Sequence, residues 1–124
     1  MNNNKVILII DDDSKNIFAL SAVLKARKFS CISALSAREG LLLMEQNPDI
    51  GVVLMDMMMP EMDGYEAIGR MKAEENLKNI PVIAVTAQAM TGDREKCLEA
   101  GADGYISKPV NVDELLQLLN QIMN

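Results

Sequence analysis

The chain contains no histidine. This removes histidine-based acid–base catalysis, most zinc sites and any phosphohistidine on the chain itself. Basic excess is also missing: 12 Lys and Arg stand against 18 Asp and Glu, a net charge of −6. No basic stripe is therefore available for a nucleic-acid backbone. No apolar run nears the ~20 residues that cross a membrane, and the first residues lack a secretory-signal pattern. Cysteine is scarce. Cys31 and Cys97 are the only two, without metal-ligand spacing, and in a chain with no export signal they are expected as reduced cytosolic thiols. A cytoplasmic protein is the expectation.

What remains is a globular composition. The 124 residues, 49% of them apolar, suit one domain over residues 1–124 with a substantial core. The chain is organised around Ile50 to Gly64. Val52-Val53-Leu54-Met55 continues an apolar run of the kind that marks a strand buried on both faces. Asp56 ends it. A lone carboxylate there must lie at the sheet's edge or hold a partner. Pro60 and Gly64 mark the exit loop, and Asp63 can cap the following helix.

Taken in order, Lys5 to Ile10 is the first strand, ending in Asp11-Asp12-Asp13. Ser14 can cap a helix with Ile17, Leu20, Val23 and Leu24 on its apolar face, and Asp13, just after the acidic pair, is expected in a capping or electrostatic role. Phe29 to Leu35 is a more polar strand, nearer an edge. Ser36 and Glu39 form a capping box for a helix to about Gln46. The helix after Gly64 runs to about Glu75, with Ile68 and Met71 inward. Pro81 opens a fourth strand that ends at Thr86. The helix from about Thr91 to Ala100 has a thin apolar face, Met90, Cys97 and Leu98, and should be the most loosely held. Gly104 to Ser107 is a short fifth strand. Lys108-Pro109 leads to a capping box at Asn111 and Glu114, opening a helix that buries Val112, Leu115, Leu116, Leu119, Ile122 and Met123. Five strands alternating with five helices predict a parallel sheet covered on both faces.

Three strands thus end in polar side chains, Asp11 to Asp13, Asp56 and Thr86, and the loop after the fifth adds Lys108. Singly, each has an ordinary explanation as a cap, a turn residue or a solvated charge. Together, at corresponding ends of one parallel sheet, they converge. Two unit charges about 4 Å apart repel by roughly 4 kcal/mol at a near-surface dielectric, so gathered carboxylates call for a cation. Oxygen-only ligands suit Mg²⁺ or Mn²⁺. A metal with Lys and Thr donors around one carboxylate is an apparatus for holding a phosphoryl group, and an Asp carboxylate can accept one covalently.

These residues resemble the receiver domain of two-component response regulators, over essentially the whole chain. The landmarks are Ile9-Ile10-Asp11-Asp12-Asp13, Met55 through Gly64, Val85-Thr86-Ala87, Gly101-Ala102-Asp103-Gly104-Tyr105 and Ser107-Lys108-Pro109. Any one is weak; all five in order are specific. The resemblance implies a flavodoxin-like α/β fold, (βα)5, with strand order 2-1-3-4-5. It implies that Asp56 takes a phosphoryl group from a phosphohistidine on a sensor histidine kinase or a histidine phosphotransfer protein. Asp11, Asp12, Asp56 and the backbone carbonyl of Met58 would hold Mg²⁺. Thr86 and Lys108 would grip the phosphoryl oxygens, with Lys108–Pro109 cis. Tyr105 would be the switch aromatic, altering the surface of the fourth helix, fifth strand and fifth helix. Met58 and Gln88 would flank the water that later hydrolyses the acyl phosphate, and slow self-dephosphorylation is expected.

Rival readings stay open on the residues alone. Asp11-Asp12-Asp13 contains the DxD spacing of haloacid-dehalogenase-type aspartyl phosphatases, with Asp11 as nucleophile, although Lys15 departs from that pattern. A nucleotide-binding turn lacks its glycines. A receiver-like scaffold that never takes phosphate is the third. The run Met57-Met58-Met59 is read either as gap filling or as a partner-contact patch. Either a single-domain regulator or a piece of a larger protein, such as a hybrid kinase, is consistent with the chain's extent.

Overall fold

A computed structural model describes residues 5–87 and 91–123. Five strands, β1 (Val6–Ile10), β2 (Ser30–Ala34), β3 (Ile50–Asp56), β4 (Val82–Thr86) and β5 (Gly104–Ser107), alternate with α1 (Ser14–Ala26), α2 (Ala37–Gln46), α3 (Gly64–Ala73), α4 (Asp93–Ala100) and α5 (Val112–Met123). The sheet is parallel throughout, in the order β2-β1-β3-β4-β5. This is the expected flavodoxin-like arrangement.

The reason is visible in the strand sequences. Successive side chains point to opposite faces. Leu8, Ile10, Val53, Met55, Val82 and Ala84 join one apolar cluster with Ala37 and Met44 of α2, Ala67, Ile68 and Met71 of α3, and Cys97 of α4. Ile7, Ile9, Val52, Leu54, Ile83 and Val85 join the other, with Leu24 of α1 and Leu115 and Leu119 of α5. Both faces are covered, so β1, β3 and β4 carry no alternation of polar residues. From β1 the chain steps outward to β2, then reverses through β3, β4 and β5. Right-handed crossovers therefore place α1 on one face and α2, α3 and α4 on the other. The reversal opens a crevice between the carboxyl ends of β1 and β3, where α/β sheets bind ligands.

Local chemistry sets most boundaries. Ser36 Oγ accepts from Glu39 N–H at 3.1 Å, Asp63 Oδ1 from Glu66 N–H at 3.0 Å and Asn111 Oδ1 from Glu114 N–H at 2.9 Å. Of the two capping candidates, Asp13 takes α1, because its Oδ1 accepts from Lys15 N–H at 2.9 Å. Two details differ from expectation. Glu39 reaches back to Leu35 N–H at 3.1 Å, one residue before the cap. The fourth helix starts at Asp93, after a left-handed Gly92, and Met90 lies outside the described residues. Gly64 permits the sharp exit from β3, since a Cβ there would lie 2.7 Å from Met57 Cα. Both cysteines are free: Cys31 sits on the edge strand β2 and Cys97 on α4. Among the described residues no helix is long and apolar enough to cross a membrane.

Candidate functional site

The strand ends bring the predicted residues together. Asp11 follows β1 and Asp56 ends β3; both are buried, whereas Asp12 is exposed. Carboxylate oxygens of Asp11, Asp12 and Asp56 lie within 4.8 Å of one another. Asp11 Oδ1 accepts from Asp13 N–H at 2.9 Å, and its Oδ2 accepts from Asn16 Nδ2 at 3.5 Å and from Lys108 Nζ at 3.2 Å. Asp56 Oδ1 accepts from Met58 N–H at 3.0 Å, and Lys108 Nζ lies 3.6 Å from its Oδ2. One ammonium thus faces two buried carboxylates.

Lys108 is aimed there by the chain. The Lys108–Pro109 peptide is cis, and Lys108 N–H donates to the Thr86 carbonyl at 2.8 Å. Thr86 ends β4 and is 1% exposed. Tyr105 pairs in register with Ala84, two residues before Thr86. Alternation along adjacent strands puts Thr86 and Tyr105 on one face of the sheet. The Tyr105 hydroxyl donates to Asp93 Oδ2 at 2.9 Å.

Charge is not balanced in the crevice. Burial, reinforced by the neighbouring Asp11, pushes the Asp56 carboxyl up to about 6, against the lowering effects of the Met58 N–H and of Lys108. The ionised form is therefore short of compensation. The donor set fits a hard divalent cation: three carboxylates converge, with no nitrogen or sulfur ligand among them. A groove of about 550 Å³ beside the site, lined by Asp11, Asn16, Leu20, Lys108, Pro109 and Val112 among others, keeps it open along α1.

The methionine run divides. Met57 and Met59 are buried and fill the loop, while Met58 is 48% exposed beside Asp56. Gln88 lies outside the described residues. Sequence reasoning missed Asn16, whose amide reaches Asp11, and Asp93, which is buried at the start of α4. Spacing signals neither; the one hint is that α4 has too few apolar residues to fill its own inner face.

The family model for the response regulator receiver domain matches residues 7–120. The polar-differentiation response regulator DivK of Brucella ovis is 36% identical over 120 residues, covering 96% of each chain. The receiver domain of sensor histidine kinase PA1611 from Pseudomonas aeruginosa, whose structure has a magnesium ion coordinated in the active-site cleft, superposes with a TM-score of 0.87 at 32% identity, over 97% of this chain and 98% of that one. The receiver domain of the Saccharomyces cerevisiae response regulator Ssk1, solved with the histidine phosphotransfer protein Ypd1, shares the fold with a TM-score of 0.86 at 22% identity, over 98% and 90% of the chains.

Proposed function

We propose, from the premise that this chain belongs to the response regulator receiver domain family, that it is a phosphorylation-activated signalling switch whose acceptor is Asp56. The observation that carries this reading is the buried Asp56 carboxylate at the end of β3, with Lys108 Nζ 3.6 Å away and two further acids beside it. An Asp56 oxygen attacks the phosphorus of a phosphohistidine on a sensor kinase or phosphotransfer protein. The O–P bond forms as the P–N bond breaks, and the imidazole leaves with its electron pair and takes up a proton. Asp11, Asp12, Asp56 and the Met58 carbonyl would hold Mg²⁺, or Mn²⁺ with the same oxygen ligands. The bound ion supplies neutralisation of the crowded oxygens. Lys108 follows the phosphoryl group as a point charge, and the Thr86 hydroxyl donates to one of its oxygens. As Thr86 moves, Tyr105 turns inward and the α4-β5-α5 surface changes. Residues 1–124 act as one receiver unit, working in the cytoplasm, where such partners present their phosphohistidines.

The reading is tested by intact-mass spectrometry with acetyl phosphate, with and without Mg²⁺. The wild type should gain one phosphoryl group in Mg²⁺, and Asp56→Asn none. A gain by Asp56→Asn at the wild-type rate overturns the assignment and favours Asp11 as nucleophile. Self-dephosphorylation is slow in this reading, because the exposed Met58 thioether is a poor hydrogen-bond partner for an attacking water. Met58→Asn should shorten the phosphoryl lifetime several-fold, as followed by mass; an unchanged or longer lifetime contradicts that role.

A further inference from the structure

Away from the acidic crevice the described residues hold one other buried carboxylate, Asp93, the first residue of α4. Two tyrosines from different elements share it. Tyr105 on β5 donates to Oδ2 at 2.9 Å, and Tyr65 on α3 donates to Oδ1 at 3.2 Å. The Tyr65 oxygen also lies 3.6 Å from Cys97 Sγ. A carboxylate only accepts. The arrangement that satisfies every group therefore runs from the Cys97 thiol to the Tyr65 oxygen, and from the Tyr65 hydroxyl to Asp93. Lys96 Nζ stands 4.8 Å from the centre of the Tyr65 ring and steadies it. Burial, then the Asp93 carboxylate, pushes the Tyr105 hydroxyl up to about 12, and burial and Cys97 push that of Tyr65 up as well, so both remain donors at neutral pH.

We propose that Asp93 is the positioning residue of the switch, a latch with two donors, in which Tyr105 is the donor that leaves and Tyr65 the donor that stays. The proposal rests on the reading of Tyr105 as the side chain that turns inward. In the resting arrangement each Asp93 oxygen has a tyrosine. Turning Tyr105 inward breaks one of two charge-assisted bonds, and this bond resists switching. Tyr65 sets the cost of that departure. With it, the buried carboxylate keeps one tyrosine donor. Without it, the departure of Tyr105 leaves the carboxylate with no tyrosine donor, and a buried charge short of donors is costly. Tyr65 is thus needed more in the switched state than in the resting one. Two chemically identical hydroxyls on one carboxylate bias the same equilibrium in opposite directions. The latch also draws α3 into a switch otherwise confined to α4, β5 and α5.

A plain structural brace behaves differently. Loss of either hydroxyl would then loosen α4 and move the equilibrium the same way. The test uses beryllofluoride with Mg²⁺ as a stable phosphoryl mimic on Asp56, titrated against amide hydrogen exchange over residues 93–107. Tyr105→Phe and Tyr65→Phe keep each ring's packing and remove one hydroxyl. Tyr105→Phe should reach half-response at about threefold to tenfold lower beryllofluoride, and Tyr65→Phe at about threefold to tenfold higher. In an Asp93→Ala background the two substitutions should lose their opposite signs. Shifts in the same direction, or no shift with either, overturn the latch. If beryllofluoride leaves the wild type unchanged, or changes Asp56→Asn equally, the phosphoacceptor reading fails and the latch with it. A responsive wild type whose two Phe variants move together rejects the latch alone.

Discussion

The helices before and after β4 are held in different ways. The inner face of α3 is apolar, with Ala67, Ile68 and Met71 fully buried. The inner face of α4 buries Cys97 and a charge, Asp93, and its anchorage runs through hydrogen bonds to Tyr65 and Tyr105. Apolar packing is non-directional and gives way only when many contacts are lost together. Hydrogen bonds are few, directional and exchangeable, so an element that relies on them can have two arrangements close in energy. The acidic crevice stands on the first kind of packing: β3 is the central strand with β1 beside it, and α3 starts eight positions after Asp56. Tyr105 stands on the second. Apolar packing thus fixes the strand ends that carry Asp11 and Asp56, whereas α4 is tied to Tyr65 and Tyr105 by hydrogen bonds.

The two helices should tolerate truncation of their inner side chains unequally. Ile68, fully buried on α3, should cost about 3–4 kcal/mol when cut to Ala. Leu98, half-buried on α4, should cost about 1 kcal/mol on the same change, since less of it is removed from water. Urea denaturation of the two variants measures the difference, and equal losses would show that α4 is packed like α3.

The next effect is at the rigid end and has the opposite sign. The Asp56 carboxyl sits at about 6 in the folded chain against an ordinary 3.8. A raised carboxyl contributes stability that is fully present below about 4, where folded and unfolded forms are both protonated, and is lost as pH rises through about 6. At pH 7 the ionised Asp56 therefore destabilises the metal-free fold. Asp56→Asn, in chelator, should gain on the order of 2 kcal/mol at pH 7 and almost nothing at pH 4. A gain that persists undiminished at pH 4 would mean that charge is not its source.

The smallest effect on stability and the sharpest on behaviour is expected at Thr86. Thr86→Ala leaves Asp11, Asp56 and Lys108 intact, so phosphorylation in Mg²⁺ should proceed. The phosphorylation-dependent change in amide exchange over residues 91–107 should vanish, while exchange in β1 and β3 stays as in the wild type. If Thr86→Ala and wild type show the same change there, Thr86 is not the link between the two regions.

Much of the architecture was legible in the chain itself. Continuous apolar strands announce a sheet covered on both faces, and Ser36, Asp63 and Asn111 mark their helix starts by short-range chemistry that needs no tertiary context. The acids and Thr86 fall at strand ends by counting alone, and a parallel sheet brings such ends to one edge. Other features depend on how the side chains settle. Whether Asp13 or Ser14 caps α1 turns on which oxygen faces the first free N–H groups, and both residue types serve equally well in sequence. That Lys108 lies between Asp11 and Asp56 follows from its anchorage to Thr86 across the sheet. The Asp93 latch joins residues 28 and 12 positions apart, across three elements. No periodicity encodes a contact of that kind: a buried carboxylate reads in sequence as one more surface charge until packing supplies its donors. The alternation of local patterns sets the fold and the place of the acidic crevice, whereas the bonds that Asp93 accepts from Tyr65 and Tyr105 come from tertiary packing, because those partners meet through space rather than along the chain.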